Sequence, residues 1–148
     1  MKKLIVAALS AAVAFAALAA TYDLSVGGFS GIAATAGGKC YVLSKSLDFR
    51  TTNYASNDVL KLVNVPAGAK VLDVVFNVTR AEGSALIAVV GDGADDDCYT
   101  TNLNLNSAAR TAAGVAKFYS ASNTVQMTLG NAATNAAVTV NVIVVPTE

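Results

Sequence analysis

The sequence predicts an all-β protein, an antiparallel β-sandwich of the jelly-roll or Greek-key kind preceded by an apolar, alanine-rich N-terminal segment. Apolar and polar side chains alternate with a period of two in several segments, which is typical of half-buried strands. Glycine, asparagine and serine separate these segments at intervals of roughly 10 residues, as in sandwiches and barrels. No segment after residue 21 sustains a helical period. The remaining length supports one domain with a sizeable core.

The first 20 residues differ from the rest of the chain. Lys2 and Lys3 precede two apolar stretches, and Ala17-Leu18-Ala19 has the small-x-small pattern that signal peptidase reads. This combination predicts a secretory signal peptide over residues 1–20. The alternative is a retained alanine-rich helix, because alanine has the highest helix propensity. A retained leader would act as an assembly arm, and it is the part of the chain through which we expect any membrane contact.

Residues 21–39 form the second predicted region. Gly27-Gly28 and Gly37-Gly38 bracket the sequence FSGIAATA. Glycine leaves the backbone few conformational restraints, and terminal segments that are not tied to a core are poorly ordered. We predict a flexible N-terminal arm here, with an edge strand as the alternative. In a capsid-bound protein such an arm would reach a neighbouring subunit.

Residues 40–148 are the predicted sandwich domain. The first strand covers residues 40–49, where apolar and polar residues alternate. Later strands are predicted at residues 99–106, 115–119, 125–129 and 137–145. Residues 107–114 are predicted to be a loop of small residues. The last strand has four valines on one parity, which favours a position near the middle of a sheet.

The middle third of the chain, residues 59–93, predicts three antiparallel strands joined by two short turns. Pro66-Ala67-Gly68 supplies the first turn, since proline fixes one φ angle and glycine tolerates a positive one. In the central strand one parity is wholly apolar and is expected to face the core: Leu72, Val74, Phe76 and Val78. Asp73 and Asn77 lie on the opposite face. Residues 85–90 predict a central strand that is covered on both faces.

Composition excludes several classes of function. The chain has ten basic and ten acidic residues, no histidine and no tryptophan. Without residues 1–20 it loses two lysines, so eight basic residues face ten acidic ones. Nucleic-acid binders cluster lysine and arginine, and no such cluster occurs here, so that class is rejected. No catalytic or cofactor motif is present, and we predict neither an enzyme nor a bound cofactor.

One acidic cluster is a candidate metal site. Asp92, Asp95, Asp96 and Asp97 lie within six residues of one another. Grouped carboxylates and nearby backbone oxygens are ligands that Ca²⁺ prefers, although the spacing differs from that of an EF-hand loop. The alternative is a solvated loop in which aspartate and glycine shape a turn.

The two cysteines, Cys40 and Cys98, allow one disulfide. If the leader exports the chain, this bridge is plausible. Closing the loop between the two cysteines would then stabilise the fold by about 4 kcal/mol in the chain-entropy model. If the protein assembles in the cytoplasm, both thiols are expected to be reduced and buried. Neither is a candidate nucleophile, because the chain has no histidine to activate one.

The run L-x-x-V-P-A-G-A-x-V-L-D-V-V-x-N-V-T-x-A-E-G, followed by V-G-D-G-x-D-D-D, resembles a group of small tailed-phage virion proteins. In that group a β-sandwich domain decorates the capsid, and the resemblance covers roughly residues 47–145. It implies a capsid decoration, or head cement, subunit on the virion surface and no active-site residues. The implied partners are the major capsid protein and further copies of this chain, with a trimer suited to the lattice.

Two other functions follow from the residues. The leader favours an exported, self-assembling surface or filament subunit, periplasmic or extracellular, that joins its copies through strand edges. An exported carbohydrate-binding sandwich ranks last, because tryptophan is absent and the tyrosines are scattered along the chain.

Overall fold

The computed structural model describes residues 19–26 and 40–146. Over these two ranges the chain forms ten strands and no helix, and hence no helix able to cross a bilayer. The strands in chain order are β1 (Thr21–Val26), β2 (Tyr41–Asp48), β3 (Val59–Val65), β4 (Ala69–Arg80), β5 (Ile87–Gly91), β6 (Thr100–Asn104), β7 (Ala109–Ala112), β8 (Lys117–Tyr119), β9 (Asn123–Leu129) and β10 (Ala137–Pro146).

The strands pair into two five-stranded sheets. The first sheet has the order β1-β3-β9-β5-β6, and the second has the order β2-β10-β4-β7, with β8 also pairing with β4. Neighbouring strands are antiparallel except for β1, which pairs with β3 in parallel. Apolar side chains from both sheets pack into one core cluster. The predicted antiparallel β-sandwich is therefore confirmed.

The C-terminal strand β10 lies where its sequence predicts. It has β2 on one side and β4 on the other. Its valines of one parity are at most 1% exposed, and they are Val138, Val140, Val142 and Val144. The period of two is intact over this strand, so the expected core face is the observed one.

The long strand β4 departs from its predicted register at Leu72. The other three members of the predicted parity are buried, but Leu72 is 40% exposed, while its neighbour Val71 is fully buried. Ile143 of β10 pairs with Asp73 and the following Val144 pairs with Val71, so Leu72 is an extra residue in β4. A β-bulge of this kind exchanges the faces of the residues on either side of it. The prediction that Leu72 lies in the core is therefore wrong.

The predicted three-stranded meander is also wrong. The strands β3 and β5 lie on either side of β9 in the first sheet, whereas β4 belongs to the second sheet. The turn before β4 thus carries the chain from one sheet to the other, and Gly68 within it has a φ of 74°. Alternation shows which side chains face a core but not which strands pair. The interior position of β5 is confirmed, although Ile87 is 44% exposed, so one of its faces is not fully covered.

Two further segments clarify the sequence predictions. Thr21–Val26 forms β1 at the edge of the first sheet, which is the alternative of an edge strand for this part of the arm. Tyr22 in β1 packs edge-on against Tyr54, with ring centroids 4.9 Å apart. Residues 1–18 of the predicted leader and residues 27–39 of the predicted arm lie outside the described residues. The predicted loop at residues 107–114 contains the exposed strand β7.

Candidate assembly surface and buried polar clusters

The outer face of the second sheet carries an apolar strip at one end. We call it the outer strip, and it consists of Val42, Leu72, Phe118, Ile143 and Val145. Val42 is 59% exposed, Phe118 55% and Leu72 40%, while the other two are half-buried. Val42 pairs directly with Ile143, and Val145 and Phe118 lie on either side of Lys70 of β4, an exposed lysine that interrupts the strip. The strip therefore crosses four strands.

The same face becomes polar toward its other end. Ser44 Oγ donates to Asn141 Oδ1 at 2.6 Å, and the hydroxyls of Ser46 and Thr139 lie 3.0 Å apart. These pairs join β2 to β10 in the rows next to the outer strip. Exposed apolar residues grouped on one face, with polar residues beside them, are typical of surfaces that contact other macromolecules. The outer strip is thus the candidate assembly surface.

Between the two sheets lies a buried polar group that we call the Asp92 cluster. Asp92 follows β5 of the first sheet and is 1% exposed. Its Oδ2 atom accepts from Lys117 Nζ at 2.7 Å and from Tyr119 OH at 2.7 Å, both on β8 of the second sheet. The hydroxyls of Tyr119 and Tyr99 lie 2.6 Å apart, and Tyr99 directly precedes β6 of the first sheet. The cluster therefore bonds one sheet to the other.

Backbone amides supply the remaining hydrogen bonds to the Asp92 carboxylate. Its Oδ1 atom accepts from the amides of Ala94 at 2.8 Å and Asp95 at 3.0 Å. This loop folds closely over the end of β5, where a Cβ on Gly91 would lie 2.1 Å from the Asp95 carbonyl oxygen. A larger residue at position 91 would push the loop away, so glycine is required there for Asp92 to be held from both sides.

The surroundings of this cluster shift the pKa of each member. Burial alone would raise the pKa of Asp92, but hydrogen bonds from Lys117, Tyr119 and two backbone amides hold it well below its ordinary value. Burial would lower the pKa of Lys117, and the bond to Asp92 outweighs it and raises that pKa. Burial raises the pKa of Tyr99 to about 12, and burial together with both hydrogen bonds raises that of Tyr119 further. Both tyrosines are therefore neutral and Asp92 is charged at neutral pH.

A second buried carboxylate, Glu82, lies beyond the opposite end of β4. It is 6% exposed and accepts four hydrogen bonds of 2.6–2.9 Å from Thr134, Asn135 and Ala136, three of them from backbone amides. Burial by itself would raise the pKa of Glu82, but these bonds hold it below its ordinary value. Glu82 thus fixes the loop that leads into β10. Arg80 strengthens the same end by donating to the Asn135 carbonyl at 2.6 Å.

The structure divides the predicted calcium ligands into two groups. Asp92 is committed to the Asp92 cluster and points inward. Asp95, Asp96 and Asp97 are exposed, and their ligand atoms lie within 4.8 Å of one another. A hydrogen bond with Asp95, together with the negative charges of Asp95 and Asp96, raises the pKa of Asp97. A calcium site at the three exposed carboxylates stays a prediction, and Asp92 is not free to join it.

Both cysteines are free thiols in the structure. Cys40 is exposed and precedes β2 of the second sheet, whereas Cys98 is half-buried and precedes β6 of the first. The Cys98 thiol lies 3.7 Å from Asp92 Oδ2, and burial, followed by the charge of Asp92, raises its pKa. Oxidation of this pair to a disulfide stays a prediction.

A shallow depression lies beside β2, with a volume of about 210 Å³. Lys45 and Asp48 are the charged residues that line it, and the Asp48 carboxylate is bonded to Arg80. Leu24, Leu47 and Tyr54 form part of its wall. Two hydroxyls in this lining are bonded elsewhere, Ser46 to the Thr139 hydroxyl and Thr51 to the Asp48 carbonyl oxygen.

Sequence reasoning missed the roles of Glu82, Lys117 and Tyr119. Each binds a partner at least 25 positions away along the chain, so no local spacing connects the two. The available signal was the type of residue: a charged side chain directly after a predicted strand, or inside a short one, needs a partner when it is buried.

No protein-family model matches this chain. No curated protein matches it either. The chain shares its fold with chains of phage capsids. One belongs to the acidic stable capsid structure of Helicobacter pylori bacteriophage KHP30, with a TM-score of 0.57 and 19% identity over 71% of this chain and 86% of that one.

Two further capsids contain a similar chain. The chain from the capsid of Ralstonia phage GP4 has a TM-score of 0.57 and 12% identity, over 75% of this chain and 86% of that one. The chain from the capsid asymmetric unit of cyanophage Pam1 has a TM-score of 0.55 and 19% identity, over 72% and 84%. At these identities the similarity shows a common fold.

Proposed function

We propose that this chain is a virion structural protein of a phage, a decoration or cement subunit that stabilises the capsid by protein–protein contacts. The observation that carries the proposal is the shared fold with chains from three phage capsids, 84–86% of whose lengths are covered. The proposed partners are the major capsid protein and further copies of this chain, and the proposed location is the capsid surface. The function requires no catalysis and no cofactor.

The outer strip supports this proposal as a contact surface. Stable protein–protein interfaces bury more than about 1,000 Å² in total, with an apolar centre and a polar rim. The outer strip supplies such a centre, and the serine, threonine and asparagine pairs beside it supply part of a rim. We expect this face to lie against the capsid or against a neighbouring copy.

The two buried carboxylates support the proposal as sources of rigidity. Asp92 joins the two sheets near the start of β4, and Glu82 fixes the loop beyond its end. A subunit held at both ends presents its outer face with little change of shape, which reduces the entropy lost on binding.

Binding to capsids that lack this protein tests the proposal. Purified protein should co-sediment with such capsids or form a cyclic oligomer. Val42→Asp should reduce the bound fraction at least tenfold, because Val42 is the most exposed residue of the outer strip and pairs with apolar Ile143, so a charge buried there loses its hydration. Ile87→Asp is the matched control, since Ile87 is an exposed aliphatic residue at 44% but lies on the first sheet.

The possible results distinguish a wrong contact surface from a wrong function. Equal loss of binding in both variants would show that the outer strip is not the contact. A protein that is monomeric and has no affinity for capsids would contradict the proposed function itself.

The second candidate function is an exported subunit that assembles with its own copies. The leader pattern at residues 17–19 favours it, and so does β7, an exposed strand at the edge of the second sheet. Exposed edges can pair with strands of another chain. Fractionation of producing cells discriminates the two functions, because this candidate predicts the protein outside the cytoplasm without capsids.

A further inference from the structure

Asp58 is a buried carboxylate that has no cationic partner among the described residues. It is 1% exposed, and no lysine or arginine nitrogen in residues 19–26 or 40–146 lies within 4.0 Å of it. Its two oxygens accept one backbone amide each, Oδ1 from Ala20 at 2.8 Å and Oδ2 from Ala55 at 2.8 Å. A buried carboxylate needs a counter-charge or several hydrogen bonds, because removal from water is costly. Glu82 accepts four hydrogen bonds, whereas Asp58 accepts these two.

Ala20 is held on both sides of its α-carbon. Its nitrogen donates to Asp58, and its carbonyl oxygen accepts from the amide of Val59 at 2.8 Å. The strand β1 begins at the next residue, Thr21, opposite Val59. Ala19 is exposed. Ala20 is therefore the residue at which the described N-terminal segment becomes anchored to the sandwich.

The small-x-small pattern Ala17-Leu18-Ala19 ends directly before this anchor. We propose that the Ala19–Ala20 peptide bond is a processing site, and that cleavage creates an α-ammonium at Ala20 that forms an ion pair with Asp58. The protease class is an endopeptidase that recognises small side chains at the first and third positions before the bond. Cleavage here fits the exported subunit, the second candidate function, because the pattern is the one that signal peptidase reads.

The reaction is a hydrolysis that needs water alone. Water adds to the carbonyl carbon of Ala19, the C–N bond breaks, and Ala19 ends in a carboxylate. The nitrogen of Ala20 keeps the bonding electron pair and takes up protons. An α-amino group has an ordinary pKa of about 7.7–8.0, so it is largely protonated at pH 7.

Cleavage changes the chemistry of the contact at Asp58. Before cleavage, a neutral amide faces Asp58 Oδ1 at 2.8 Å. After cleavage, the same nitrogen carries a full positive charge against a buried negative one. The bond from the neutral amide to the carboxylate is already charge-assisted, and the ammonium adds the attraction between two opposite charges at the same distance. Cleavage therefore gives Asp58 the counter-charge that the described residues do not supply.

The first test is the N-terminus of the protein made from the full-length gene in bacterial cells. Intact mass and N-terminal sequencing should show a chain that starts at Ala20. Ala19→Leu should block cleavage, because it places a bulky residue directly before the bond, whereas Leu18→Ala should leave cleavage unchanged. An intact Met1 in the wild-type protein, or a start at another residue, would overturn the proposed site.

The second test addresses the ion pair by denaturant unfolding. The cleaved wild-type chain should have an unfolding equilibrium constant about tenfold smaller than the uncleaved Ala19→Leu chain. When Asp58→Asn is introduced into both the cleaved and the uncleaved chain, the two should have equal stability. If Asp58→Asn does not fold, acetylation of the Ala20 amine in the cleaved chain should remove the gain, because it restores a neutral N–H donor. No gain on cleavage, or a gain that survives acetylation, would refute the pairing.

Discussion

Replacement of Asp92 tests whether the Asp92 cluster holds the two sheets together. In Asp92→Asn the amide oxygen can still accept from the backbone of Ala94 and Asp95. The amide nitrogen then faces Lys117 Nζ and Tyr119 OH, which are both donors toward this position in the wild type. The substitution therefore leaves the half-buried Lys117 cation without its anion and breaks the bonds between the loop after β5 and β8.

The expected loss of stability is large. Removal of one partner from a buried ion pair costs about 3–5 kcal/mol, because the other charge stays buried and unpaired. The side chain of Lys117 is 30% exposed, so it can turn partly toward water and the lower half of that range applies. We expect a decrease of about 3 kcal/mol in the free energy of unfolding.

The assay is urea unfolding followed by circular dichroism, with an unchanged m-value as the check that the transition remains two-state. Asp96→Asn is the matched control, because Asp96 lies on the same loop but is exposed, and it should have no measurable effect. A loss below about 1 kcal/mol in Asp92→Asn would refute the argument that this cluster bonds the sheets.

The pH dependence provides a second check of the same reasoning. The pKa of Asp92 is lower in the folded protein than in the unfolded chain, so its contribution is fully present above the unfolded value of about 3.9. This contribution is lost as pH falls toward the folded pKa. The difference in stability between wild type and Asp92→Asn should therefore be constant from pH 7 to about pH 5 and should shrink below about pH 4. A difference that stays constant down to pH 2 would contradict the assignment.

Three further predictions concern other parts of the molecule. Glu82→Gln should cost about 1–3 kcal/mol, measured by urea unfolding, and should speed amide exchange in residues 134–136, because one of the two accepting oxygens is lost; unchanged exchange would contradict the role of Glu82. Phe76→Ala should cost about 3–5 kcal/mol and Leu72→Ala less than about 0.5 kcal/mol, whereas equal losses would refute the bulge. A thiol reagent at pH 7 should label exposed Cys40 much faster than Cys98, whose pKa is raised by burial, and mass spectrometry would detect equal labelling if this is wrong.

The strand pattern was predictable wherever the period of two is unbroken. In β10 the four alternating valines are enough to identify the core face, because each adds buried apolar area on the same side. In β4 the same rule fails at Leu72, since a bulge depends on how the partner strand pairs and leaves no mark in the local sequence. Secondary structure is thus visible in the sequence, but register is only partly so.

The sheet topology and the buried clusters depend on contacts between distant parts of the chain. The turn at Pro66-Ala67-Gly68 fits a hairpin and a crossing between sheets equally well, because its φ angles do not specify the partner of the next strand. Asp92 was identified as part of an acidic cluster, yet its partners Lys117 and Tyr119 lie 25 and 27 positions away. A carboxylate in a glycine-rich turn looks solvated until the packing of another strand buries it.

The bulge in β4 connects the core to the proposed assembly surface. Without the extra residue, a strict period of two would keep Leu72 inward with Phe76, and Val71 would lie outside. With it, Val71 fills the core and Leu72 lies outside with Phe118 and Val42 in the outer strip. A leucine in this position loses the stabilisation of burial within the subunit, and it recovers that contribution only if another surface covers it. The proposed interface at the outer strip would cover this leucine and restore that contribution.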